Sequence, residues 1–341
     1  MDKQLLAKIN SLYSLPTLSY KGKAKGGFLS DNYVLQTKTS TYFLKKYRQS
    51  VGDRLPVITK TEQFFANADI PIILPILTKK GSSFFSVEGY HYSLYPFISG
   101  KTFDHNNRVP TMAMVASIAR NLAKMHQISR KGFPLFSKAQ LSEWDVNRIM
   151  SDESRDGFYL YAHKILDVLK AKKRKTKFDL LAAKVVKLKL GIVQSVPTSF
   201  KGFTLGKPHI VHGDYHAQNV FLNGKGEVTH VFDLEKTDAR PRSLELVRSM
   251  LLICFSGQFT SARFALAKKY LAAYNEIYPI PAIEVESSIR LLYYKHTLNL
   301  WIEKGHYFND FTRADVLLDG ELRYLRYMSK NMNHFIKRVL S

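Results

Sequence analysis

The chain has 341 residues, 45% of them apolar and 13% aromatic, enough for a substantial core, which excludes a mainly disordered chain. Its one cysteine, Cys254, excludes an internal disulfide framework and any CxxC zinc site. Fifty-one Lys and Arg against 28 Asp and Glu leave a net charge of +23, a field that draws anions such as nucleotides, nucleic acid or acidic lipid and that serves solubility equally well.

Residues 3–14 have the pattern of a short helix. From Tyr20 to Tyr47, β-branched and aromatic residues bounded by turn residues predict a hairpin, with Lys45 and Lys46 near the end of its second strand. A helix carrying Glu62 follows Pro56, and Phe84 to Val87 pairs with His91 to Tyr95. After Gly100 the character changes. Met112 to Ile128 and residues 158–190 read as helical, two short strands appear at Ile210-Val211 and Val228 to Phe232, and the chain from Ser243 onward is mostly helix. This predicts an α+β protein with a small antiparallel β lobe carrying one helix over residues 1–98, and a larger helical lobe over residues 99–341, the join falling near Ser99-Gly100. The start of the chain lacks the apolar core of a signal peptide, and no apolar run approaches the ~18 residues of a transmembrane segment, so a soluble, cytoplasmic protein is expected.

The chemistry concentrates in residues 209–242. Asp214 sits in a turn after an apolar strand, Asn219 follows five residues later, and Asp233 comes fourteen residues after that, behind a strand–turn–strand excursion. Such a path brings two carboxylates and an amide oxygen to one end of a small β patch. Mg²⁺ takes hard oxygen ligands, usually one or two carboxylates completed by phosphates and water, so Asn219 and Asp233 suit a metal. Asp214 is then available to accept the proton of an attacking hydroxyl.

The stretch His212-Gly213-Asp214 with Asn219, then a strand and Asp233, resembles the aminoglycoside phosphotransferase and choline kinase family. That resemblance implies a two-lobed protein-kinase-like fold. It also implies ATP (or GTP) and Mg²⁺ as cofactors and a small-molecule hydroxyl as acceptor: an amino alcohol, a sugar or an aminoglycoside-like compound. Gly213 and Asp233-Leu234-Glu235 depart from the protein-kinase pattern in the way usual for the small-molecule branch. The resemblance further implies a phosphate-holding lysine, Lys45 or Lys46, with Lys45 preferred by the family's Leu-Lys pattern, and Glu62 as its orienting partner. The loop from Gly26 to Asn32 would cover the phosphates, with Ser30 offering a polar contact. Leu94 to Gly100 resembles the hinge, where adenine would meet the Pro96 carbonyl and the Ile98 N–H. Ala119 to His126 is similar to the family's helix ending in Leu-x-x-Leu-His.

Blander readings stand beside these. Asp and Asn are common turn residues. His212 is expected to brace the turn rather than act as a base; His216 touches substrate or fills the loop. The spacing of His209, His212, His216 and His230 fits no zinc pattern. Ser99 to Thr102 mimics the end of a Walker A motif but lacks its first glycine, Tyr95 standing there, and reads as a turn after the hinge. Arg240 and Arg242 bind an anion or flank a surface turn. Lys170 to Lys177, six basic residues of eight, is by default a solvated face. Contact with nucleic acid or an anionic membrane has no motif behind it, and a catalytically silent kinase-like module binding such a partner is the alternative. Tyr293, Tyr294, Trp301, Glu303 and Tyr307 are core residues or an aromatic and acidic wall suited to a cationic acceptor.

Overall fold

The computed structural model describes residues 1–24, 31–98, 101–102, 109–136, 150 and 154–341. The loop at Gly26, Gly27 and Ser30, and the join at Ser99-Gly100, lie outside the described residues. Helix α1 (Lys3–Leu12) leads into strands β1 (Ser19–Lys23), β2 (Tyr33–Gln36) and β3 (Thr41–Lys46); α2 (Leu55–Ala66) precedes β4 (Phe85–Val87) and β5 (Tyr90–Pro96). These strands form one antiparallel sheet in the order β1-β2-β3-β5-β4.

Alternation along β3 decides what each face of the sheet does. Leu44 is fully buried and joins Leu35 and Leu94 in packing against Leu5 and Ile9 of α1. Two-residue periodicity turns Phe43 and Lys45 to the opposite face. On α2, Leu55, Ile58, Thr61, Glu62 and Phe65 are buried along one stripe, so Glu62 is a carboxylate at a core-facing position.

The helical part opens with β6 (Lys101–Thr102) and α3 (Met112–Ser129), then α4 (Arg155–Ala171) and α5 (Lys177–Ile192). The helical stretch expected over residues 158–190 is thus two helices. The Lys-rich segment between them has no apolar residue to hold it on a core. Thr176 starts the second helix by accepting from the Asp179 N–H, and the Asp179 carboxylate takes the Thr176 N–H in return. Lys101-Thr102, expected as a turn, is instead strand β6, paired with β8 (Val220–Leu222). Strand β7 (Pro208–Val211) pairs with β10 (Asp238–Pro241), and β8 with β9 (Val228–Val231). Helices α6 (Arg242–Met250), α7 (Ser261–Asn275), α8 (Ala282–Leu298), α9 (Trp301–Phe308) and α10 (Leu318–Leu340) complete the chain. Their core joins Leu122 of α3, Met250, Tyr270 and Phe335. Among the described residues, no helix is long and apolar enough to cross a membrane.

Two links set the sheet over the helical part. The Ile73 N–H donates to the Val231 carbonyl, and the Val231 N–H to that of Pro71, tying the segment after α2 to β9. Arg54, at the start of α2, donates to the Thr237 carbonyl. The loops after β7 and β9 therefore open beneath β3.

Candidate active site

The loop after β7 carries His212, Gly213 and Asp214 in a conformation held from below. The N–H groups of His212 and Gly213 donate to Glu245 of α6 at 3.0 and 2.5 Å. His126, from α3, reaches the same carboxylate at 2.9 Å. Burial would raise the Glu245 carboxyl, but these donors outweigh it and hold it below the usual range. His212 Nε2 donates to the Phe232 carbonyl (2.9 Å), while Nδ1 accepts the Asp214 N–H (3.2 Å). These two bonds require a single neutral tautomer, and burial lowers the imidazole's pKa accordingly. His212 is a brace, as expected. Tyr215 pins the far side of the loop, donating to the Ile118 carbonyl and accepting from Asn121.

Gly213 has φ +83°, and a Cβ there would lie 2.0 Å from the Lys236 carbonyl oxygen. No other residue combines that backbone angle with that approach. The loop carrying Asp214 and the segment after Asp233 are thus in main-chain contact. Asp233 itself is left-handed, at φ 69° and ψ 63°.

The sequence-predicted residues meet here. Asn219 Nδ2 donates to the Asp214 carbonyl at 2.9 Å, and its Oδ1 has no hydrogen-bond partner among the described residues. Lys45 Nζ lies 2.5 Å from Asp233 Oδ1 and 3.3 Å from Glu235 Oε2. Burial opposes the lysine's charge, but Asp233, Tyr47 and Glu235 outweigh it and push its pKa upward. Enclosure would likewise raise Asp233, and Lys45 holds it low. Arg48 donates twice to Glu235 Oε1, at 3.0 and 2.6 Å.

Glu62 departs from expectation: it does not pair with Lys45. Burial pushes its carboxyl up to about 8 against the pull of Lys45, and it accepts the Tyr95 hydroxyl at 3.1 Å instead. Its Oε2 is buried without a partner. A largely neutral carboxyl cannot compete with Asp233 and Glu235 for the ammonium group.

Asp214 is gripped from three sides. Lys236 Nζ is 2.7 Å from Oδ2, Arg248 Nη2 2.6 Å from Oδ1, and His216 Nε2 3.6 Å from Oδ1. Burial would raise its pKa, but His216, Arg248 and Lys236 together depress it far below the carboxylate range.

At the hinge, the Phe97 N–H is spent on the Thr41 carbonyl, whereas the Ile98 N–H donates to no protein group. Pro96 is exposed beside it. A cavity of about 510 Å³ opens there between Lys21, Gly22, Lys23, Val34, Thr41 and Phe97. On the Lys45 face of the sheet, Phe232 meets Phe43 edge-on at 5.4 Å and Tyr95 at 5.0 Å.

Other candidates are structural. Arg242 is buried, 3.7 Å over the Tyr278 ring, and donates to the Tyr278 and Pro279 carbonyls. Arg240 pairs with Asp238 at the surface. His209 bonds Tyr278 and the Lys207 carbonyl, and burial lowers its pKa to about 3. Glu303 is buried against Lys189. Sequence reasoning missed Glu245, Arg248 and Lys236. The only local signal for the first two is a charged pair at i and i+3 within an otherwise apolar helical run, Leu244 to Met250.

Comparison with known proteins identifies the fold and the family. No curated protein matches the sequence. Among solved structures, spectinomycin phosphotransferase bound to ADP and spectinomycin superposes with a TM-score of 0.61 at 13% identity, over 100% of this chain and 98% of that one. A microcompartment-associated aminopropanol kinase gives 0.62 at 14% identity, over 97% and 98%. Amicoumacin kinase bound to AMP-PNP, Ca²⁺ and its substrate gives 0.53 at 13%, over 94% of each chain. Likeness at this identity shows the fold, which is two-lobed, α+β and protein-kinase-like. The model of the phosphotransferase enzyme family (APH) matches residues 23–281, well over half of the sequence, and the chain therefore belongs to that family.

Proposed function

We propose that the protein transfers the γ-phosphoryl group of ATP or GTP to a hydroxyl of a small molecule, with Mg²⁺. The observation that carries this reading is the meeting of Asp214, Asn219, Asp233 and Lys45 under one sheet, with the Asn219 amide oxygen and the second Asp233 oxygen unspent. One amide and one carboxylate are too few donors for a metal cage, and among the described residues no cluster of three His, Cys, Asp or Glu forms one. They fit Mg²⁺, whose shell is completed by phosphates and water. Bound there, the ion would neutralise charge on the phosphate oxygens.

Lys45 holds phosphate oxygens once it leaves Asp233. The Ile98 N–H and Pro96 carbonyl take the adenine edge. Asp214 stays ionised across the working pH range and is a weak base, so its main task is to aim the acceptor hydroxyl. The acceptor oxygen forms its bond to phosphorus as the bridging oxygen's bond breaks, the electron pair leaving with the nucleoside diphosphate. The hydroxyl proton passes late to Asp214. Residues 1–98 would serve the nucleotide and residues 99–341 the acceptor. Nothing in the geometry favours a catalytically silent module over this reading.

Nucleotide affinity with and without Mg²⁺, followed by diphosphate release over a panel of hydroxyl compounds, tests the proposal. Asp214→Asn should abolish turnover while nucleotide affinity stays within about threefold, a change under ~1 kcal/mol. Undiminished turnover in that variant would sink the assignment.

A further inference from the structure

Asp214 is the proton acceptor in the reading above, yet both of its oxygens are engaged by cations to which that reading gives no task. Lys236 holds Oδ2 and Arg248 holds Oδ1. Arg248 makes its 2.6 Å approach without hydrogen-bond alignment, since Oδ1 has no hydrogen-bond partner. The lysine side chain is 44% exposed and the arginine 39%, against 16% for the aspartate. Each cation is therefore partly open to solvent and carries more donors than Asp214 takes up, three N–H on a lysine and five on an arginine.

The surroundings do not offset this charge. Among the described residues, these four cations, Lys45, Arg48, Lys236 and Arg248, make their ion pairs with three carboxylates, Asp214, Asp233 and Glu235. Two acidic residues of the last helices, Glu303 and Glu321, are turned inward and so withheld from a cationic acceptor. Lys189, fully buried on α5, lies 2.6 Å from Glu321 and 3.7 Å from Glu303.

Oδ1 is buried, so an incoming hydroxyl competes with Lys236 for Oδ2. A positively charged acceptor would worsen the repulsion, and a neutral one would leave both ion pairs standing. An anion supplies the cations with a replacement partner and frees the carboxylate in the same event. We propose that Lys236 and Arg248 form an acceptor subsite for an anionic group, so that the substrate is a hydroxyl compound carrying a phosphate or a carboxylate beside the reacting hydroxyl. This rests on the phosphotransfer reading above and assigns its acceptor class.

The test is calorimetric, on the full chain loaded with Mg²⁺ and ADP, with two matched series as probes. One is glucose 6-phosphate, glucuronate, glucose and glucosamine; the other is glycerol 3-phosphate, glycerate, glycerol and 3-amino-1,2-propanediol. The anionic members should bind at least about tenfold more tightly than the neutral and cationic ones, with phosphate against carboxylate separating the two sources of charge. Arg248→Gln should weaken anion binding about ten- to a hundredfold, the range for loss of a charge-assisted hydrogen bond, and leave ADP affinity within about twofold. Arg248→Glu should reverse the preference. Equal binding of all members, preference for the amines, no binding of any anion, or a loss of ADP affinity in Arg248→Gln as large as the loss for the anion would each overturn the proposal. Failure of the parent protein to bind Mg²⁺·ADP would instead refute the phosphotransfer reading itself.

Discussion

Glu62→Gln should stabilise the nucleotide-free protein, and more so as pH rises. Folding moves Glu62 from its ordinary 4.5 to about 8. Between those values the folded state binds a proton that the unfolded chain has released, so stability falls with rising pH across that window. Above pH 8 the whole cost is present; below about 4.5 it is absent. At ~1.4 kcal/mol per pH unit the ceiling is about 5 kcal/mol, and water reaching the cavity brings the expected range to about 2–5 kcal/mol. Glutamine keeps an oxygen for the Tyr95 hydroxyl and removes the ionisation. At ~2.1 cal/mol/K per residue, this range corresponds to a Tm raised by about 3–7 °C at pH 8.5, shrinking toward nothing at pH 4.5. Thermal melts of the parent and the variant from pH 4.5 to 9 measure it. Parallel curves would refute the reasoning. A parent that gains on the variant with rising pH would mean that Glu62 is ionised and paired with Lys45 in the free protein.

Gly213→Ala should lose turnover by orders of magnitude, because its Cβ would meet the Lys236 carbonyl at 2.0 Å in a backbone conformation alanine avoids; steady-state rates near those of the parent would contradict this. Glu245→Gln turns an amide N–H₂ toward main-chain or imidazole donors, so a loss of about 2–4 kcal/mol in denaturant unfolding is expected. Because the Glu245 carboxyl is depressed in the fold, its stabilisation is present above its ordinary 4.5 and is lost as pH falls further, so the gap between parent and variant should narrow in acid. Cys254 is fully buried and its thiol is raised by burial, so a thiol reagent should modify it only as fast as the protein opens; immediate labelling of the native chain would be contrary evidence.

Asp214, Asn219 and Asp233 are legible in the sequence because their relation is local: a turn, a short excursion and a return, all within twenty residues. Alternation alone leaves Lys45 and Lys46 open, and the family's Leu-Lys pattern selects Lys45, which the burial of Leu44 then turns away from the core. The face of α2 that carries Glu62 could be read, but its partner could not. That choice depends on how burial in three dimensions shifts one carboxyl relative to two others. Glu245 takes its donors from 32, 33 and 119 residues away, and nothing near it announces them. Nothing near Lys189 in the sequence marks it as a buried lysine, and it is buried with residues of α9 and α10 more than a hundred positions downstream.

The close approach at Gly213 has a consequence for redesign. The two acidic loops can come no closer than one strand of backbone resting on another allows, while Glu245 of α6 holds the first of them from below. Residues lining the acceptor side, Arg248 among them, can then be exchanged without altering the gap across which phosphorus must travel. Specificity and chemistry are then largely separable, and a library on α6 and α8 that keeps Glu245 should yield altered acceptors far more often than dead enzymes.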